Sequence, residues 1–367
     1  MTLTIRLSHA FAGFTLDVDI TTGPGVTALF GRSGSGKTTI VNAVAGLLRP
    51  DEGTIRLDGD TLLDTATNRF LPVHRRRMGY VFQDSRLFPH LTVRQNLTYA
   101  RRFTRTETLP FDQVTDLLGL AALLDRRPAT LSGGERQRTA IGRALLAAPR
   151  LLLMDEPLAS LDDRRKAEIL PYLERLRDET RLPILYVSHA MPEVARLADH
   201  LVLIDAGRVT AQGTTAALLS DPATAPALGL REAGSLLTAR IAGHDDDGLT
   251  RLDTAVGPLW LPHLAAPKGT SVRLRILAQD VMIATTRPTG ISALNILPAT
   301  IADIRPGEGP GTLVRLALGP DALLARITRR STDTLALQPG QQVYAVLKAV
   351  SVAQENVTPA APAPTGG

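Results

Sequence analysis

The stretch Gly31-Arg32-Ser33-Gly34-Ser35-Gly36-Lys37-Thr38 constrains this chain more than any other, because it stands between the apolar run Val26 to Phe30 and a helix-like run from Thr39 to Leu48. It fits the pattern G-x-x-x-x-G-K-[ST], a glycine turn that leads from a strand into a helix and holds phosphate groups. Side chains at the three glycines would keep backbone N–H groups away from a polyphosphate, and the helix start adds partial positive charge at the same place. In such a loop Lys37 reaches the outer phosphates and Thr38 ligates magnesium, with Arg32, Ser33, Ser35 and Thr39 completing the nucleotide-binding stretch. A ligand-free Gly/Ser turn is the plainer reading; the strand before and the helix after argue against it.

A chain of 367 residues is long for one core and predicts two or three domains. Its 44% hydrophobic content is that of a globular protein. No run approaches the roughly twenty apolar residues that cross a bilayer, and Met1-Thr2-Leu3-Thr4-Ile5-Arg6 reads as an alternating strand and not a signal peptide. The expectation is a soluble protein whose membrane work needs a partner. With no cysteine there are no disulfides and no thiolate metal sites, which suits a reducing cytoplasm. The net charge of +5 is mild, and the tight basic cluster Arg75-Arg76-Arg77 reads as a solvated face before it reads as a phosphate or lipid contact.

Leu3, Ile5 and Leu7 alternate with polar residues, as do Leu16, Val18 and Ile20, so the first twenty residues predict an antiparallel pair with Phe11 and Phe14 at its bend. Phe11 reads equally as a ring that stacks on a base and as core. Gly53 to Asp60 predicts a second hairpin turning at Asp58-Gly59. From there to residue 205 apolar runs alternate with helical segments, the pattern of a parallel sheet. Each run stops at a useful side chain: Gly79 to Phe82 at Gln83, Leu151 to Met154 at Asp155-Glu156, Ile184 to Ser188 at His189. Ligands of open α/β sheets sit beyond the carboxyl ends of the strands, so these three termini and the Gly31 loop should share one edge.

At that edge Asp155 is placed to hold Mg²⁺ opposite Thr38, and Glu156 to orient and deprotonate an attacking water. Gln83 offers a carbonyl to the metal or the water, and His189 a donor to a terminal phosphate; a strand-end histidine is also commonly just hydrogen-bonded. Further on, Leu131-Ser132-Gly133-Gly134-Glu135 reads first as a capping box. The two glycines are not needed for a cap. They bare N–H groups at a helix start and make a second anion site, roughly a hundred residues after the first. Two different half-sites for one triphosphate invite head-to-tail pairing of two copies.

The Gly31 loop, Gln83, Leu131 to Glu135, Leu151 to Glu156, Ser160-Leu161-Asp162 and His189 together resemble, in order and spacing, the ATP-binding subunits of ABC transporters. The resemblance covers about residues 1 to 230. It implies a homodimer that sandwiches two nucleotides, each Gly31 loop facing the partner's Ser132-Gly133-Gly134-Glu135, with Asp162 at the dimer seam. It also implies ATP and Mg²⁺ as cofactors and integral membrane permease subunits as partners, with a substrate-binding protein indirectly involved and no nucleic acid. The location implied is peripheral, on the cytoplasmic face of the inner membrane. Leu87, Phe88, Pro89 and Leu91 are candidates for the permease contact, or for burial in a helical insertion.

Past Arg231 short alternating strands take over. Gly269, Val272, Ala278 and Val281 stand 71 residues before Gly340, Val343, Ala349 and Val352, which suggests two similar β units, a duplicated barrel. A small barrel after such an ATPase resembles the oligonucleotide-fold (TOBE) domains of importers. Thr289 to Leu297 resembles the molybdate-binding version, whose motif runs Ser-Ala-Arg-Asn-x-Leu; here Leu294 stands in place of its arginine. Ser292, Asn295, Thr328, Ser331, Lys348 and Ser351 are the candidate oxyanion donors. The fold expected is α/β, a P-loop NTPase of ABC type with an antiparallel β subdomain and a helical insertion, then an all-β OB-like (TOBE) domain. The expected limits are 1–230 for the ATPase, 231–285 for a β-rich spacer or first β unit, 286–354 for the TOBE domain and 355–367 for a disordered tail. The function implied is ATP-driven molybdate import; sulfate or tungstate import, and a cytoplasmic molybdate-binding or sensing protein, are the alternatives.

Overall fold

A run that is apolar on both faces must be covered on both sides, so Val26–Phe30, Leu151–Asp155 and Ile184–Ser188 belong at the centre of a layered sheet. A computed structural model, describing residues 2–102, 109–180, 182–307, 309–353 and 356–359, buries every residue of the three. The chain divides into two units, Met1–Gly213 and Thr214–Gly367. The boundary lies earlier than 230 because Ala225 packs with Ala233, Ala278, Leu313 and Leu324 of the second unit.

The first unit begins with β1 (Leu3–Phe11), β2 (Phe14–Thr21), β3 (Val26–Phe30) and α1 (Lys37–Ala45). Next come β4 (Glu52–Leu57), β5 (Asp60–Asp64), β6 (Arg69–Phe70), α2 (Val73–Arg76) and β7 (Met78–Val81). The helical insertion holds α3 (Val93–Thr98), α4 (Phe111–Leu117) and α5 (Gly133–Leu145). The unit closes with β8 (Leu151–Asp155), α6 (Asp163–Thr180), β9 (Ile184–Ser188), α7 (Met191–Leu197), β10 (His200–Asp205) and β11 (Arg208–Thr214). All its strands join one eleven-stranded sheet in the order β6-β5-β4-β1-β2-β11-β10-β3-β9-β8-β7.

Period-two alternation puts Leu3, Ile5 and Leu7 of β1 and Leu16, Val18 and Ile20 of β2 in the core, in the antiparallel register Ile5↔Ile20 and Leu7↔Val18. Asp58 and Gly59 turn β4 into β5 with φ of 50° and 84°, both positive as a tight hairpin requires. At the other end β10, β3, β9, β8 and β7 run parallel. Five adjacent carboxyl ends therefore face one edge. Beneath it α1 buries Ile40, Val41 and Val44 in the same core as Leu29, Leu153 and Val187.

The arginine cluster differs from its reading as a solvated face. Arg75 and Arg77 are exposed, but Arg76 is fully buried. Its Nη1 donates to the carbonyls of Ala43 (2.7 Å) and Val44 (2.8 Å), its Nε to Leu71 O (2.7 Å), and the ring of Phe70 lies 4.8 Å away. The carbonyls of Ala43 and Val44 lie in the last turn of α1, where a cation is favoured. Burial lowers its pKa to about 10.

The second unit opens with α8 (Thr215–Leu219) and α9 (Ala225–Leu228). Its first repeat supplies β12 (Gly234–His244), β13 (Leu249–Thr254), β14 (Gly257–Pro262), β15 (Ser271–Leu277) and β16 (Met282–Ala284). Its second supplies β17 (Asn295–Pro306), β18 (Gly311–Leu318), β19 (Asp321–Thr328), α10 (Arg329–Thr334), β20 (Gln342–Leu347) and β21 (Val357–Pro359). The 71-residue echo marks equivalent places in the two. Gly269 and Gly340 turn with φ of 89° and 85°, and their amides donate to the carbonyls of Ile241 (2.8 Å) and Ile301 (2.7 Å). Both isoleucines stand where a bulge shifts the register. Ala278 and Ala349 each open a short 3₁₀ turn.

The copies are not two separate barrels. The sheets run β14-β13-β12-β15-β21 and β16-β20-β17-β18-β19, so each repeat lends its last strand to the other's sheet. One core, containing Leu237, Leu252 and Val272 from the first and Leu297, Val314 and Val343 from the second, lies between them. The limits 231–285 and 286–354 therefore mark two repeats that share one core within one compact unit. The tail also begins later than residue 355, since Val357 and Thr358 pair with Leu274 and Arg273. Residues 360–367 lie outside the described residues.

Candidate active site

The phosphate loop follows β3 and ends at Gly36, which takes φ of 100° as the residue before α1. The three glycines are required for different reasons. A Cβ at Gly31 would come within 2.1 Å of Ile204 O, and one at Gly36 within 2.7 Å of Leu16, so both serve internal packing. Only Gly34, at φ of 81°, faces open space. Lys37 is buried and folds back over the loop, its Nζ donating to Gly31 O and Arg32 O at 2.8 Å and lying 3.4 Å from Ser35 Oγ. Burial lowers its pKa, against the charges of Glu156 and Asp155.

In front of the loop lies a cavity of about 380 Å³ lined by Phe11, Phe14, Ser33, Gly34, Gly36, Lys37, Thr38, Thr39, Gln83 and Glu156. Phe11 is not core: the residue is 42% exposed and lines the cavity, its ring tilted against Phe14 at 5.9 Å and met edge-on by His9 at 4.6 Å. Asp51 fixes that strand end, accepting from Ala10 N at 2.8 Å with His9 Nδ1 at 3.0 Å. Gly31, Arg32 and Ser35 form the rear of the loop and do not line the cavity.

Asp155 ends β8 beside the loop. Thr38 Oγ1 donates to its Oδ1 at 3.0 Å, and the Tyr80 hydroxyl lies 3.4 Å from its Oδ2 and 2.9 Å from Asn42 Oδ1. Burial, first of all, raises the Asp155 pKa; the Thr38 hydrogen bond opposes it and Glu156 adds to it. Burial beside Asp155 raises the Tyr80 phenol well above its usual range, so it is a hydrogen-bond donor at neutral pH. Two hard oxygen donors on Thr38 and Asp155, with the Gln83 amide on the same cavity, fit Mg²⁺, which is held by few protein ligands together with phosphates and water. Among the described residues no group of three or more His, Cys, Asp or Glu forms an all-protein cage.

Glu156 follows directly, with φ of 47°, a conformation that costs a non-glycine residue about 1–2 kcal/mol. Its amide donates to Val187 O at 3.1 Å, and its carboxylate reaches His189 Nδ1 at 3.3 Å. The turn that carries His189 is anchored from behind. Ser188 and Tyr186 donate to Glu193 Oε2 at 2.8 and 2.9 Å, Ser188 Oγ accepts from Ala190 N, and Lys166 Nζ stands 3.2 Å from Glu193 Oε1. The sequence reading missed this network, as it missed Tyr80 and Asn42. The signal was a tyrosine inside each of two otherwise apolar strands.

Ser132 to Glu135 do not line the cavity. Ser132 Oγ accepts from Glu135 N (3.2 Å) and Glu135 Oε2 from Ser132 N (2.7 Å), a full capping box whose backbone bond holds the Glu135 pKa low. Gly133 and Gly134 open α5, so no preceding helical carbonyl is available to their amides. Both positions are tight for a side chain: a Cβ at Gly133 would meet Leu161 at 2.9 Å and one at Gly134 would meet Ile169 at 3.3 Å, so either neighbour would have to shift. Asp162 caps α6, accepting from Arg165 N at 2.9 Å. Of the apolar residues near Gln83, Leu87, Phe88 and Leu91 are half-buried and Pro89 exposed, with the Phe88 ring tilted at 41° against Tyr99 at 4.4 Å.

The oxyanion candidates do not gather in one place. Asn295 is buried and spent: its Oδ1 accepts from Trp260 N at 2.7 Å and its Nδ2 donates to Trp260 O at 2.9 Å. The pairings Asn295↔Leu347 at one end of β17, and Pro306↔Thr312 with Gly311↔Thr328 at the other, separate Ser292, Lys348 and Ser351 from Thr328 and Ser331. Thr328 and Ser331 cap α10, and Ser351 Oγ donates to Lys348 O at 2.8 Å. Leu294 is 51% exposed.

Comparison with known proteins agrees with this geometry. The ABC transporter family profile matches residues 15–159 and the TOBE domain profile residues 291–354. The molybdenum import ATP-binding protein ModC of Rhizobium meliloti is 54% identical over 96% of this chain and 99% of its own, and that of Mesorhizobium japonicum 52% identical over 97% of each. Among solved structures, cbiO1 from Clostridium perfringens, part of the ABC transporter complex cbiONQ, shares the fold at TM-score 0.52 and 26% identity, over 62% of this chain and 94% of that one. With the phosphate loop, the capped diglycine helix and the strand-end carboxylates in place, the chain belongs to the molybdenum import ATP-binding protein family of ABC transporters.

Proposed function

We propose that this chain is the ATP-hydrolysing subunit of a molybdate importer, working as a homodimer on the cytoplasmic face of the inner membrane against integral membrane permease subunits fed by a substrate-binding protein. No helix among the described residues is long and apolar enough to cross a membrane. The observation that carries the reading is one cavity lined by Lys37, Thr38, Gln83 and Glu156, with His189 in reach of Glu156 and Asp155 under Thr38.

Phe11 offers its exposed ring to the adenine, and the loop amides with Lys37 take the phosphates. Thr38, Asp155 and Gln83 would hold Mg²⁺, which supplies charge neutralisation between the outer phosphates when bound. Glu156 accepts the proton of a water whose oxygen attacks the γ-phosphorus; the bond from that phosphorus to the bridging oxygen breaks, and ADP leaves. His189 holds the Glu156 carboxylate on one side and faces the transferred group on the other. The Gly133 and Gly134 amides stand outside this cavity, so they serve the nucleotide of a second copy, with Asp162 at the seam.

ATP-driven uptake into vesicles carrying the permease subunits tests the cargo. Molybdate uptake above sulfate supports the reading; equal or greater sulfate uptake overturns it, and a tungstate arm reads how far size discriminates. Loss of ATP-dependent pairing in the Ser132→Arg variant tests the composite site.

A further inference from the structure

We propose that Tyr80 is a positioning residue that ties the metal-side carboxylate of Asp155 to the segment carrying Gln83. The inference rests on reading Asp155 as the metal-side carboxylate. Both oxygens of that carboxylate are met by hydroxyls, Thr38 from the phosphate-loop helix on Oδ1 and Tyr80 from the neighbouring strand on Oδ2. The phenol has one proton and two acceptors in reach, Asn42 Oδ1 at 2.9 Å and Asp155 Oδ2 at 3.4 Å. An amide can present oxygen or NH₂ to a phenol, so turning Asn42 over sends the Tyr80 proton to Asp155.

From Tyr80 the contact continues without a gap. Its ring stacks on Phe82 at 4.0 Å and 15°, and the Arg86 guanidinium covers Phe82 at 4.1 Å. The carbonyls of Arg86 and Ser85 accept from Arg143 at 2.8 and 3.2 Å, and Arg143 belongs to α5, the helix that Ser132 caps. Gln83 lies inside this span. The segment between Phe82 and Arg86 is thus held at one end by the Asp155 carboxylate, through Tyr80, and at the other by the diglycine helix. A group that orients a metal ligand while stacking on the neighbouring segment reports on both.

The test uses the full chain and a fluorescent ATP analogue, titrated in EDTA and in Mg²⁺. Tyr80→Phe keeps the stack and removes one oxygen atom. The result expected is affinity within twofold of wild type in EDTA and about tenfold weaker in Mg²⁺, the usual loss when an outer partner of a metal ligand is removed. Tyr80→Leu, which also removes the stack, should speed amide exchange over residues 82–88 in EDTA, where no metal takes part, while Tyr80→Phe leaves it unchanged. Equal affinity of Tyr80→Phe and wild type in both buffers, or an equal loss in both, overturns the proposal. Should Tyr80→Phe fail to fold, Asn42→Ala is read in the same way: a change confined to Mg²⁺ supports the linkage, and none overturns it. Asp155→Asn separates the two layers of the argument. If it leaves the Mg²⁺ dependence intact, the metal reading fails and the Tyr80 proposal with it; if it abolishes that dependence while Tyr80→Phe does nothing, Tyr80 alone is rejected.

Discussion

His189 and Glu156 meet across the gap between two strand ends, Nδ1 to Oε2 at 3.3 Å, although 33 residues separate them in the chain. A carboxylate held this way keeps one oxygen for a water. Glu156→Gln preserves the shape and the histidine contact but cannot take a proton. Turnover should fall about a hundredfold to ten-thousandfold, the usual worth of a general base, with ATP affinity within a factor of about two. Phosphate release and equilibrium nucleotide binding measure the two; near-normal steady-state hydrolysis would remove Glu156 from the base role.

Lys37 satisfies its buried ammonium on the loop's own carbonyls, so the cation is already in place when phosphates arrive. Removing a charged donor costs about 1.5–3 kcal/mol. Lys37→Ala should therefore weaken nucleotide binding by roughly ten- to a hundredfold. A dissociation constant equal to wild type would count against the loop as a phosphate cradle.

Arg76 caps the far end of the same helix from inside the core. Arg76→Met keeps much of the apolar bulk and removes the guanidinium bonds to the carbonyls of Ala43, Val44 and Leu71, of which Ala43 O retains the Gly46 amide. The first unit should lose about 2 kcal/mol, part of the cost being offset because a buried cation with no carboxylate partner is itself expensive. Urea denaturation followed by circular dichroism measures it; a variant as stable as wild type would show that water or neighbouring groups take over the cap.

Stopping the chain at Ala353 removes β21 and leaves β15 as a bare edge, with the contacts of buried Thr358 lost. The second unit should melt several degrees lower and aggregate more readily, because an unpaired strand edge recruits other chains. Calorimetry and light scattering read both effects, and an unchanged transition would mean β21 contributes nothing to that sheet's stability.

Much of the first unit was legible because its chemistry sits on periodicity. Alternation fixed β1 and β2, fully apolar runs fixed the central strands, and strand-end polar residues pointed to the edge. Long-range packing was not legible. Nothing local distinguishes buried Arg76 from exposed Arg75 and Arg77; the difference is that Arg76 meets helix carbonyls more than thirty residues earlier. Asn295 shows the same limit. Its place beside Leu294 suggested a free donor, whereas its partner is Trp260 on another strand. The echo between Gly269 and Gly340 revealed a repeat, but a repeat in sequence does not say with which copy its last strand will pair.

That exchange of last strands makes the two halves of the second unit hostage to each other. A protease nick in the connection between Ala284 and Asn295 would break the chain without releasing either piece, since each keeps a strand hydrogen-bonded into the other's sheet. Severed halves should stay joined under native conditions and part only in denaturant, as a woven fabric survives one cut thread.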